Sequence, residues 1–264
     1  MTVLDETPAT EAPATETPAT ETPAIMPALA HLVELRRRLI ICVLAVVAGT
    51  ALAWGFYDHV VAFMIGPYRH YLAHHPALNI SKGNLVASGP LEGFTTRLKV
   101  SGYLGAVIAA PVLLWQAWRF VSPALYRTER RYAGSFIVAT VGLFGLGVTA
   151  AMLTFPKAVS WMISVSGSGV APLFSPGRYL GLYALCCLVF GSAFTYPVIL
   201  IFLEVIGAVS SAKLRRWRRY SIVVIVAAAA VITPSNDPFS FLAMAVPLLA
   251  FYELSILIGR ALKR

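Results

Sequence analysis

Beyond residue 30 the chain holds only seven acidic residues: Glu34, Asp58, Glu92, Glu129, Glu204, Asp237 and Glu253. Two of them stand among arginines. Glu34 lies in HLVELRRRL and Glu129 in LYRTERR. A carboxylate near a helix start is stabilised by roughly 0.3–1 kcal/mol, and the adjacent arginines can pair with it. That is the structural reading. The same residues suit a second task. A strongly basic face repels a basic peptide except at such carboxylates, and arginine's planar fork pairs with a carboxylate through two parallel hydrogen bonds. On the residues alone, both readings stand.

Other chemistry finds little support. Ser166–Gly167–Ser168–Gly169 falls in an expected loop, whereas an intramembrane serine nucleophile needs a histidine on a facing span. Of the five histidines, His31 lies at the border of the first apolar run. His59, His70, His74 and His75 lie in the polar stretch after it. No thiolate or carboxylate near His70, His74 and His75 completes a metal site. Cys42, Cys186 and Cys187 sit in apolar runs and read as small packing residues. There is no GxxxxGK[ST] phosphate loop. Catalytic residues, metal ligands and cofactors are therefore all expected to be none. A six-span secondary transporter or ion carrier is the alternative. Carriers keep acids or broken helices near the bilayer midplane. Here the apolar runs carry Gln116, Thr195 and Tyr196 at their centres, with Pro111 and Pro197 as candidate kinks.

The elements that must position these residues follow from composition. The chain is 58% hydrophobic and 12% charged, against about 25% charged in soluble domains. Lipid is the natural solvent for most of it, and in lipid long non-alternating apolar runs are helices. Six spans are expected, near Leu39–Phe56, Val100–Val121, Tyr132–Phe155, Tyr179–Ile206, Tyr220–Thr233 and Phe239–Tyr252. The polar stretch after the first span, with Pro67, Pro76 and Pro90, reads as an outside loop. The last two spans are short. Fourteen residues each reach ~21 Å against a ~30 Å hydrocarbon core, which predicts local bilayer thinning unless the helices extend further. With the N-terminus inside, fifteen of the 21 Lys and Arg fall on inside segments. The positive-inside rule then sets both termini in the cytoplasm. The net charge of +9 is thus explained by topology, and no nucleic-acid partner is implied. Residues 1–30 repeat ETPAT-like units with five acids and no Lys or Arg. This segment reads as a disordered acidic tail before a membrane domain at 31–264.

The motifs HLVELRRRL, PLEGFTTRLKVS, APVLLWQAWRFVSPALYRTERR, FGSAFTYPV, ITPSNDPFS and PLLAFYELSI occur in an order that resembles the TatC family of twin-arginine translocase subunits. The resemblance covers residues 31–260. It implies a cupped bundle of six helices in a bacterial plasma (inner) membrane, with a concave side facing lipid. It also implies a receptor for signal peptides bearing two consecutive arginines. Such a receptor would self-associate and would export folded proteins with single-span partner subunits of the TatA and TatB type, driven by the proton-motive force. Residue by residue, Glu34 and Glu129 match the carboxylates that contact the arginine pair, and Arg36, Phe120 and Tyr126 match positions around that patch. Pro67 and Pro111 match family prolines of the first outside loop and second span. Asp237 matches the acid of the last outside turn, with Asn236 as a rival alignment. The chain departs from the pattern at Thr195, which stands where many relatives carry an acid or amide in the fourth span. The resemblance makes Thr195 a partner-docking position with a weaker polar contact, since a hydroxyl can satisfy its own helix carbonyl.

Overall fold

The computed structural model describes residues 25–74, 85–87, 89–121, 133–166, 174–207, 209–235 and 237–262. These form eight helices and no strand among the described residues: α1 (Ile25–Gly55), α2 (Tyr57–Ala73), α3 (Glu92–Val121), α4 (Ala133–Val165), α5 (Pro176–Phe194), α6 (Tyr196–Val205), α7 (Ser211–Ile232) and α8 (Pro238–Leu262). Residues up to Arg37 form one compact unit and Arg38–Arg264 a second, so α1 contributes to both. Among the described residues, five segments are long and apolar enough to cross a membrane: Val33–Gly55, Glu92–Phe120, Gly134–Val165, Pro176–Val205 and Pro238–Gly259. The protein is a membrane-embedded helical bundle.

Three expectations change. First, the stretch around Pro67 is not a loop but the 17-residue helix α2. Met64, Ile65, Tyr68 and Leu72 recur at helical spacing and are buried. Asp58 in the first turn and His70 in the last complement the helix dipole. Pro67 lies inside this helix and is half-buried. Second, the last helix is not short. It has 25 residues, about 38 Å at 1.5 Å each, because Glu253 does not terminate it. Glu253 accepts a hydrogen bond from Arg218 Nε across the α7–α8 pair, so its charge is met within the hairpin. Third, helices outrun their apolar cores. α3 begins at Glu92 rather than Val100, and α4 continues past Lys157 to Val165. α7 is the exception that stays short in apolar terms. Its first turns hold Lys213, Arg215, Arg216, Arg218 and Arg219, and only Tyr220–Ile232 is apolar.

Of the two expected kinks, one is a break. Pro197 has no N–H to give to Ala193, and α5 ends at Phe194 while α6 starts at Tyr196. The chain crosses the junction on tighter bonds, Thr195 N–H to Ser192 and Val198 N–H to Thr195, both at 3.2 Å. At Pro111, by contrast, α3 runs on unbroken.

The second unit is organised around α5, which packs chiefly on α4 and α3. α4 and α5 cross where Gly147 faces the Phe190 carbonyl and Gly191 lies under the Phe144 ring; a Cβ at either glycine would overlap those atoms. Below the crossing, aromatic rings from three helices interlock. Phe155 stacks on Tyr183 at 4.2 Å, Tyr179 meets Phe155 at 5.5 Å and Tyr68 at 5.7 Å. The Tyr179 hydroxyl donates to the Met64 main-chain oxygen at 3.2 Å. This network holds α2 on α4 and α5.

Candidate functional site

The candidate site begins at the C-terminal end of α3. Arg119 in its last turn suits the negative end of the helix dipole. Trp118 Nε1 donates to Thr140 Oγ1 at 2.8 Å, and that hydroxyl donates to the Phe136 main-chain oxygen at 2.6 Å. The Trp118 ring stacks on Phe136 at 5.4 Å and meets Phe202 edge-on at 4.9 Å. These contacts tie the end of α3 to α4 and α6. Two residues beyond Trp118, the Phe120 ring centroid lies 5.9 Å from the guanidinium of Arg38, a cation–π arrangement. Arg38 Nη1 also donates to the Gln116 main-chain oxygen at 3.4 Å. Phe120 remains half-exposed.

Among the residues singled out from the sequence, the structure therefore places Phe120 beside an arginine, Arg38, that had been counted only as loop charge. Its available signal was position: it is the third arginine of ELRRR, one helical turn beyond Glu34. Glu34 is half-exposed and Arg36 exposed, both on α1 within the first unit. Tyr126 and Glu129 lie outside the described residues.

The other expected positions have local surroundings of their own. Thr195 is buried at the α5–α6 junction, and its hydroxyl donates to the Ser192 main-chain oxygen at 2.7 Å. The hydroxyl thus satisfies its own helix, as the sequence suggested. Asp237 precedes α8 and caps it. Its Oδ1 accepts the Ser240 N–H at 2.7 Å, while its buried Oδ2 has no partner among the described residues. Pro111 is exposed on α3. Sequence reasoning missed the burial of Glu204, one of the seven acids, and gave it no role. Glu204 is fully buried. Its Oε2 accepts from the Ser211 hydroxyl at 2.7 Å, and Gly259 packs so closely that a side chain there would overlap the carboxylate. The hint was an acid within an apolar run. What it touches depends on three helices meeting.

A family model for the Sec-independent protein translocase protein (TatC) matches residues 30–247. The chain belongs to the TatC family. It is 35% identical to the TatC of Frankia casuarinae over 238 residues, which is 89% of this chain and 65% of that one. It is 35% identical to the TatC of Magnetococcus marinus, covering 90% and 85% of the two chains. With the TatC of Aquifex aeolicus it shares 32%, covering 90% and 97%. A crystal structure of a twin arginine translocase receptor, TatC, in DDM superimposes with a TM-score of 0.72 at 32% identity, over 87% of this chain and 99% of that one. TatC proteins are translocase subunits rather than enzymes, and the carrier alternative is not favoured. The residues that tie down α3 in this TatC chain, Trp118, Thr140, Phe136 and Phe202, all lie within the matched span.

Proposed function

We propose that this chain is the twin-arginine signal-peptide receptor and core subunit of a Tat translocase, exporting folded proteins across a bacterial plasma membrane with the proton-motive force. The observation that carries this reading is the near-complete match to a solved twin arginine translocase receptor. In this proposal α7 is the sixth span, both termini are cytoplasmic and the helices form a cupped bundle. The five qualifying spans plus α7 supply the helices, and the loop arginines supply the orientation. The acidic segment expected over residues 1–30 acts as a solvated spacer only as far as Ile25, where α1 begins.

The signal peptide's arginine pair docks at Glu34 and Glu129, with Arg36, Phe120 and Tyr126 around it. The half-exposed Phe120 ring offers a flat apolar face at the end of a tied-down helix, which suits the apolar segment that follows such a pair. Arg38 lies against that ring and helps to fix its position at the end of α3. The single-span partner subunits dock along the fourth span, where Thr195 gives only a self-satisfied hydroxyl. Pro67 and Pro111 shape α2 and α3, and Asp237 starts α8.

The test is binding or crosslinking of a twin-arginine signal peptide to the purified protein, comparing wild type with Glu34→Ala plus Glu129→Ala. Binding that needs both carboxylates and fails for a twin-lysine peptide supports the proposal. A twin-lysine peptide that binds equally well rules out bidentate recognition.

A further inference from the structure

Away from that site, a second arginine has donors left over. Arg97 lies in α3, just past its start at Glu92. Its Nη2 donates to the Trp54 main-chain oxygen at 3.0 Å, capping a carbonyl in the last turn of α1. The guanidinium lies 4.8 Å from the Trp54 ring centroid and 5.0 Å from that of Tyr57. Ring faces position the charge, but a guanidinium carries five N–H donors. Arg97 Nε is buried and has no hydrogen-bond partner among the described residues. Asp58, in the first turn of α2, is exposed. Burial raises the Tyr57 phenol above its ordinary value of 10.0, outweighing the lowering by Arg97, so the ring offers no anion at neutral pH.

Trp54, Tyr57 and Arg97 form the polar end of a cavity of about 590 Å³ whose remaining wall includes Val61, Ile65, Leu85 and Leu180. That is the size of a small-molecule site. Its wall is mainly apolar, Arg97 is its one charged lining residue, and that cation holds a buried donor that costs free energy unless something accepts from it. The matching ligand has one anionic oxygen group and an apolar chain. For a protein embedded in lipid, that description is met by the solvent itself. We propose that this cavity is a phospholipid site in which Arg97 holds the phosphodiester and the apolar wall takes an acyl chain. Bound there, the lipid bridges the α1–α2 corner to α3 and α5. The inference does not depend on signal-peptide recognition.

Native mass spectrometry of the full chain in detergent tests it with three probes: phosphatidylglycerol, the diacylglycerol with the same chains, and glycerol phosphate. The expected result is a tightly held phosphatidylglycerol adduct, about tenfold weaker retention of diacylglycerol, and no adduct of glycerol phosphate. Arg97→Gln lowers phosphatidylglycerol retention to the diacylglycerol level, and Arg97→Lys restores it in part. Val61→Trp, which fills the apolar wall, lowers both lipids alike. Equal phosphatidylglycerol retention by wild type and Arg97→Gln overturns the proposal. So does a wild-type protein that retains diacylglycerol as tightly as phosphatidylglycerol, or retains neither. The wild-type ratio decides the matter even where a variant fails to fold.

Discussion

The aromatic cluster of α2, α4 and α5 and the aromatic end of α3 use the same kinds of residue for different ends. In the first, Tyr68, Phe155 and Tyr183 are each at most 2% exposed, and Tyr179 spends its hydroxyl on a neighbouring helix. In the second, Trp118 is tied to Thr140, but Phe120 two residues on is half-exposed under a guanidinium. The first region is closed on itself and fixes helix positions. The second is anchored to α4 and α6 through Trp118 and leaves the Phe120 ring half-exposed beside Arg38. The difference lies in where the last ring of each cluster ends up.

The largest effect that would sharpen this contrast is expected at Phe155→Ala, which empties the closed cluster. A loss of about 3–5 kcal/mol in stability is expected, read by unfolding in detergent, with peptide affinity in the surviving folded fraction unchanged. Gly147→Val pushes a side chain against the Phe190 carbonyl and should cost about 1–3 kcal/mol in the same assay. At the open end the pattern reverses. Phe120→Ala should leave the unfolding midpoint near wild type while weakening signal-peptide binding by about 1–2 kcal/mol, read by titration. If Phe120→Ala unfolds the protein as readily as Phe155→Ala, the two regions do not differ as described. Asp237→Ala removes the cap of α8 and should cost ~1 kcal/mol, with Asp237→Asn close to wild type. The smallest effect is expected at the exposed Arg218–Glu253 pair. Glu253→Gln should cost roughly 0–1 kcal/mol, and less in high salt.

Legibility followed the same division. The ring cluster was half-readable: its helices α4 and α5 were expected as spans, but α2, which supplies Tyr68, was taken for a loop. Its apolar face is only four residues, interrupted by Pro67, and a short amphipathic helix with a proline has a weak pattern until its partner is known. Glu253 misled in the other direction. A charge after an apolar run reads as the end of a span, yet Arg218 on the neighbouring helix lets α8 continue to Leu262. At the candidate site, Phe120 and the Glu34 and Glu129 carboxylates were named from motif alone, while Arg38 was not, because its contact with Phe120 joins residues far apart in the chain.

By itself the sequence determined the solvent, the helical class and the family: charge content and long apolar runs leave few alternatives, and the motifs occur in a specific order. It marked Pro111 and Pro197 alike as candidate kinks, and the structure decided that only the second is a break. The tertiary structure alone decided which polar groups are buried and with whom: Glu204 on Ser211 beside Gly259, Arg97 between Trp54 and Tyr57, Asp237 at the start of α8. Those outcomes depend on helices meeting across tens of residues, and no local periodicity encodes such a meeting.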